Sequence, residues 1–167
     1  MADDNVVLRE PVPEDGARLH QLVRECPPLD ENSLYCNLLQ CSHFSRTCCV
    51  AEIDGRMLGY VTGYLHPKEE GVYFLWQVGV HEDAAGHGLG KRMMTDILAR
   101  EDCRGVHTLH TTITPSNEAS RGLFASFARD EGAEMTEEPF FTEQHFAGTG
   151  KEPENLFRIG PLSTPPE

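Results

Sequence analysis

The stretch from Trp76 to Met94, Trp-Gln-Val-Gly-Val-His-Glu-Asp-Ala-Ala-Gly-His-Gly-Leu-Gly-Lys-Arg-Met-Met, leaves this chain few choices. Val78 and Val80 supply β-branched side chains to a strand. Gly86, Gly88 and Gly90 then remove side chains where the backbone must bend. After Lys91 and Arg92, the residues Met93, Met94, Ile97 and Leu98 recur at helical spacing. A strand that turns through glycines into a helix points several backbone N–H groups at one spot, with the positive end of the helix dipole behind them. That is an anion site, most naturally for phosphates.

Three glycine-turn patterns compete for it. A dinucleotide-binding turn needs a third glycine or alanine where Lys91 stands, and an acidic residue ending a second strand. A P-loop needs Ser or Thr after its Gly-Lys, and Gly90-Lys91 is followed by Arg92, which offers magnesium no hydroxyl. The remaining pattern is that of the pyrophosphate turn in the GNAT family of N-acetyltransferases: Gln or Arg, two residues, Gly, one residue, Gly or Ala. Gly88-Leu89-Gly90 resembles its second half. Ala85 stands where Gln or Arg is expected, which removes one side-chain contact. Because most of the site is backbone, the loss weakens binding rather than abolishing it.

The chain of 167 residues suits one domain with a proper core and is short for two. We expect a single domain over residues 1–167, with its core at about 6–162. A net charge of −13 argues against nucleic acid and weakly favours a cationic substrate. A polyanionic cofactor must then be held by a local positive site, and the glycine turn with Lys91 and Arg92 is the obvious place. No apolar run reaches membrane-spanning length and the N-terminus has no signal-peptide pattern, so a cytoplasmic protein without a membrane partner is expected. Six cysteines without a Cys-x-x-Cys pair read as reduced, mostly buried side chains. The eight histidines share no metal spacing with them, and His107 and His110 should face opposite ways on a strand. No metal is expected.

Taken in order, Asn5–Glu10 reads as an edge strand stopped by Pro11, and Glu14–Cys26 as a helix stopped by Pro27-Pro28. A second helix is expected from about Asn32, with Asp30 ahead of it as a candidate cap. Thr47–Ile53 and Met57–Leu65 form a hairpin around Asp54-Gly55, where Gly59 and Gly63 suggest a bulge or a close backbone approach. Val72–Val80 leads into the glycine turn and a helix to about Asp102. A β-branched strand follows at Val106–Thr114, then an amphipathic helix at Asn117–Arg129. Two strands close the chain, at about Phe140–Phe146 and Asn155–Ile159, with a Gly-rich loop around Ala147–Gly150. The last residues, Ser163 onward, read as frayed.

This element order resembles the GNAT fold: α/β (α+β), a mixed, splayed sheet of about seven strands flanked by about four helices. The resemblance implies that Val72–Val80 and Val106–Thr114 part to admit a pantetheine arm, which binds strand backbone as an added strand would. Several stretches narrow it further. Cys26-Pro-Pro-Leu-Asp-Glu-Asn-Ser-Leu-Tyr35, His43-Phe44 with Thr47-Cys48, Trp76-Gln77-Val78 and Thr112-Ile-Thr-Pro-Ser-Asn117 resemble the L-2,4-diaminobutyrate acetyltransferases of ectoine biosynthesis. The resemblance covers about Val6 to Leu162.

It implies acetyl transfer from acetyl-CoA to the terminal (N4) amine of L-2,4-diaminobutyrate in a cytoplasmic homodimer. Carried over residue by residue, it makes Asp30, Tyr35, Trp76 and Glu154 the substrate ligands. Val78, Val80, Gly86, His87, Gly88, Leu89, Gly90, Lys91 and Asn117 become the cofactor contacts. Without it, Asp30 would be a helix cap, Trp76 core, Glu154 a solvated charge and Asn117 the cap of its own helix. The chemistry needs a neutral amine, a donor for an oxyanion and a proton route to the leaving sulfur. An alkylamine has a pKa of about 10 and arrives protonated. A carboxylate beside it would hinder its deprotonation, so the carboxylates are expected to hold the amine that does not react. Two further departures stand out: Lys151 occupies a position that is often histidine in the family, and Phe124 one where many superfamily members carry an acidic tyrosine. Neither the general base nor the general acid is legible. Two alternatives stay open, an acetyltransferase for another small diamine or a protein N-terminus, and a non-catalytic acyl-CoA-binding module.

Overall fold

The computed structural model describes residues 5–163; the expectation for the chain end falls, from residue 164 on, outside them. In chain order it holds β1 (Val6–Arg9), α1 (Gly16–Arg24), α2 (Leu34–Gln40), β2 (Cys49–Ile53), β3 (Arg56–Leu65) and β4 (Val72–Val80). Then come α3 (Leu89–Leu98), β5 (Thr108–Ile113), α4 (Glu118–Glu131), β6 (Glu134–Phe141) and β7 (Glu154–Gly160). The strands make one sheet in the order β1-β2-β3-β4-β5-β7-β6. β4 and β5 run parallel, whereas β1–β2, β2–β3, β5–β7 and β6–β7 are antiparallel. This is the mixed seven-stranded sheet with four helices that the element order implied.

Contacts gather the chain into two compact units. One holds the residues up to Tyr64 with Trp76–Arg104, the other Leu65–Leu75 with Gly105 onward. In the first, the β2–β3 hairpin turns through Asp54 (φ 51°) and Gly55 (φ 79°), the pair of positive angles that matches strand twist. Ala51 pairs with Gly59 but Glu52 with Met57, so Leu58 is the extra residue of a bulge. A Cβ on Gly59 would lie 3.1 Å from Met93 and 3.3 Å from Leu89, so the same glycine also lets α3 approach the sheet. Gly59 thus stands next to the bulge and makes room for the side chains of α3. Leu19, Leu22 and Val23 of α1 bury against Cys26, Cys41, Val50, Met57 and Tyr60. Arg9 on β1 bonds Glu52 at 2.9 Å and clasps Asp15 through both terminal nitrogens at 2.8 and 3.0 Å. That guanidinium holds the Asp15 carboxyl below the usual range.

Two elements differ from the sequence expectation by more than two residues. α3 stops at Leu98 rather than near Asp102. There Arg100 swings its guanidinium back to the carbonyls of Cys48 (2.6 Å) and Arg46 (3.1 Å), and Glu101–Cys103 tightens into a 3₁₀ turn that buries Cys103. β6 lies at Glu134–Phe141, earlier than the expected Phe140–Phe146. It is the outermost strand and pairs only with β7, so one edge is spared from pairing. Its charges and Pro139 are tolerated there, which erases the apolar alternation. In the second unit, Leu109, Ile113, Phe124, Phe127, Phe157 and Ile159 are among the buried apolar residues. All six cysteines are free thiols and all but Cys36 are buried. Burial pushes Cys48 and Cys49 up to about 12, so that pair is core and unreactive.

Candidate active site

The glycine turn begins where His81 N–H donates to Leu58 O at 2.8 Å, fastening the end of β4 to β3. His81 Nδ1 then accepts from Asp83 N–H at 3.0 Å, starting a 3₁₀ turn over Glu82–Ala84. Gly86 (φ 90°) and Gly88 (φ 65°) both sit in the left-handed region, and a Cβ on either would meet nothing within 4 Å. Conformation, not crowding, selects glycine here. Gly88 is the N-cap of α3 and has no side chain to close the first turn. The amides at a helix start point outward along its axis with the dipole behind them. Leu89 and Gly90 are buried beneath, with Met93, Met94 and Ile97 anchoring the helix on the sheet. Backbone donors on a rigid base, beside open space and Lys91, fit a diphosphate.

Asp30 lies exposed on the irregular segment between α1 and α2. It does not cap α2: Ser33 does, accepting from Cys36 N–H at 3.0 Å. The carbonyl of Asp30 instead accepts from Gln77 Nε2 at 2.9 Å, and Gln77 Oε1 accepts from the Tyr60 hydroxyl at 2.9 Å. Gln77 belongs to the quoted Trp-Gln-Val motif, but no role for it was legible there. Tyr35 is 70% exposed and Trp76 39%, so core packing explains neither. Trp76 meets Tyr64 edge-on at 5.9 Å between centroids, and Tyr64 faces Phe44 at 6.2 Å. Tyr64, on β3, was not singled out in the sequence; its ring lies between those of Phe44 and Trp76.

In the second unit, Glu154 opens β7 and its Oε1 accepts from Thr112 Oγ1 at 2.6 Å. It is half-buried and oriented, unlike a solvated surface charge. Asn117 Oδ1 accepts from Ser120 N–H at 3.1 Å, so its capping role is real. The Ser116 hydroxyl and amide both bond Glu152, holding the turn ahead of α4. Phe124 is 1% exposed within the apolar set and has no proton to give. Lys151 Nζ lies 5.3 Å from the centre of the Phe146 ring.

β4 pairs with β5 from Val72↔Thr108 to Leu75↔Thr111, while Trp76–Val80, with Val78 and Val80, has no counterpart in that register. Among the described residues, His66, Glu69 and His110 are spaced like metal ligands, their atoms within 4.8 Å of one another. The hydrogen bonds oppose that use. His66 Nδ1 accepts from the amides of Lys68 (3.0 Å) and Glu69 (3.1 Å), which leaves the proton of the neutral ring on Nε2, 3.5 Å from Glu69 Oε2. The ring thus offers a proton where a metal needs a lone pair.

The model of the acetyltransferase (GNAT) family matches residues 16–128. The L-2,4-diaminobutyric acid acetyltransferase of Bordetella parapertussis is 52% identical over 160 residues, 95% of this chain and 86% of that protein. That of Vibrio cholerae is 44% identical, over 92% and 88%. The chain belongs to the diaminobutyrate acetyltransferase family. A solved family member from Paenibacillus lautus, in complex with its substrate L-2,4-diaminobutyric acid and coenzyme A, superposes with a TM-score of 0.91. It is 35% identical and covers 99% of this chain and 100% of that one. The ribosomal-protein-S18-alanine N-acetyltransferase of Escherichia coli shares the fold alone, at 16% identity and a TM-score of 0.66. Of the residues expected at the site of a diaminobutyrate acetyltransferase, the glycine turn, Asp30, Tyr35 and Trp76 lie in the first unit and Asn117 and Glu154 in the second.

Proposed function

We propose that this protein transfers the acetyl group of acetyl-CoA to the terminal amine of L-2,4-diaminobutyrate, giving N4-acetyl-L-2,4-diaminobutyrate, a step in ectoine biosynthesis. The observation that carries the reading is the end-to-end likeness, in sequence and in fold, to an acetyltransferase solved with that diamino acid and coenzyme A. Acetyl-CoA supplies an acyl group activated as a thioester. The chain's part is to bind and to orient. The amides around Gly86–Lys91 would hold the diphosphate against the net charge of −13, and the backbone of Val78 and Val80 the pantetheine arm, with Asn117 beside it.

Asp30 and Glu154 would hold the ammonium that does not react, with Tyr35 and Trp76 as walls. Selection between the two amines is then geometric, because fixing one places the other. Glu154 is already aimed by Thr112, and Asp30 is held at its backbone by Gln77. Ala85 and Phe124 remove one phosphate contact and one proton donor that the wider superfamily uses. A thiol is acidic enough to leave as thiolate and take its proton from water. We further infer one acetyltransferase domain over residues 1–167, a homodimer, and a cytoplasmic setting. Among the described residues no helix is long and apolar enough to cross a membrane.

The test mixes purified protein with acetyl-CoA and, separately, diaminobutyrate, ornithine, lysine or a peptide, and follows free thiol. Release with diaminobutyrate is the expected result. Release only with another acceptor would reassign the substrate, and none with any acceptor would make the chain an acyl-CoA-binding module. Asp30→Ala and Glu154→Ala should each raise the KM for the diamine more than tenfold, the scale of one lost charge-assisted bond, and leave that for acetyl-CoA within about twofold. Equal shifts in both constants would misplace the pocket.

A further inference from the structure

Gln77 has no part in the reaction set out above, yet both ends of its side-chain amide are engaged. Nε2 donates to the Asp30 carbonyl and Oε1 accepts from the Tyr60 hydroxyl, each at 2.9 Å. The orientation of the amide is dictated by its partners. Turned over, it would set Oε1 against a carbonyl oxygen, two acceptors face to face. Tyr60 must then be the donor, and burial pushes its phenol well above the ordinary value, so the proton stays. The tyrosine itself cannot shift. It is 1% exposed, and a Cβ on Gly79 would meet its ring at 2.5 and 2.9 Å and the side chain of Leu29 at 3.0 Å. Leu29, the neighbour of Asp30, packs on the same core cluster as Tyr60.

These contacts make a short rigid path from the core through Gln77 to the backbone of Asp30. The segment it holds is otherwise irregular, running from the end of α1 to the cap of α2 at Ser33. We propose that Gln77 is a positioning residue for the diamine. It fixes the backbone of Asp30 so that its carboxylate stands where an ammonium can meet it, and it sets affinity for the diamine but not for acetyl-CoA. This rests on Asp30 being a diamine ligand.

The test is steady-state kinetics with both substrates varied, on Gln77→Leu, Gln77→Glu, Asp30→Ala and the double variant Asp30→Ala/Gln77→Leu. Gln77→Glu keeps the size and the acceptor for Tyr60 but loses the donor to Asp30, so it remains informative should Gln77→Leu fold poorly. Both Gln77 variants should raise the diamine KM by about five- to tenfold, as loss of one hydrogen bond implies, with the acetyl-CoA KM and kcat within about twofold. In the Asp30→Ala background, Gln77→Leu should add less than about twofold, because residues acting through one another are not additive. A full multiplicative effect in that background, or equal shifts for both substrates, overturns the role of Gln77. Asp30→Ala effective with both Gln77 variants silent overturns it too, leaving Asp30 as ligand intact. A silent Asp30→Ala removes the diamine reading of Asp30 itself, and this role with it.

Discussion

Thr112 shows how one hydroxyl sets a carboxylate. Its Oγ1 donates to Glu154 Oε1 at 2.6 Å, occupying one oxygen of Glu154 and fixing the direction of the other. Thr112→Val keeps the shape and removes the donor. It should raise the diamine KM by about threefold to tenfold, less than loss of the carboxylate itself because Glu154 is misaimed and not removed, while Thr112→Ser should stay near wild type. Initial-rate measurements on the two variants check this, and equal behaviour would mean that the bond orients nothing of consequence. Asn117 illustrates a different economy. Its cap to Ser120 N–H serves the helix and leaves the amide nitrogen for other work, so the structural and functional readings need not compete.

Among the elements, α3 and its turn carry the cofactor argument, and their glycines separate by physical cause. Gly88 has a left-handed φ of 65° with nothing within 4 Å of a Cβ, so Gly88→Ala costs about 1–2 kcal/mol of backbone strain without a clash. The expected outcome is weaker acetyl-CoA binding by titration, about tenfold, with the diamine KM unchanged. Gly59→Ala acts elsewhere, crowding Met93 and Leu89 under α3. It should lower the unfolding midpoint, read by thermal denaturation, before it touches either substrate. The end of α3 depends on Arg100, which ties the first unit together through Cys48 O, Arg46 O and Asp96. Its role was not visible in the helix pattern, because the partner carbonyls lie about fifty residues earlier in the chain.

For the molecule as a whole, stability should depend on acidity through His110. It is buried on β5, and burial, with lesser opposition from Arg158 and His66 and support from Glu69 toward the charged form, holds it below its ordinary 6.5. The sign follows. As pH falls through 6.5 the unfolded chain takes up this proton while the folded one does not, so unfolding gains. The contribution is present in full above 6.5 and is lost as pH drops toward the depressed folded value. Melting curves between pH 7 and pH 5 should show a steeper fall for wild type than for His110→Gln. Parallel curves would mean that another group governs this window.

The sequence by itself determined what local chemistry writes down. The glycines of the turn, the Asp54-Gly55 hairpin, the β-branched runs and the amphipathic helices announced the element order, and with it the fold. Charge and motif likewise pointed to a phosphate-bearing cofactor and a cationic partner. Tertiary structure alone decided where periodicity falls silent: β6 is an edge strand whose charges hide its pattern, and α3 is cut short by a distant arginine contact. It also decided who holds Asp30 and Glu154. The bonds from Gln77 and Thr112 span 47 and 42 residues, and only folding brings such groups within 3 Å.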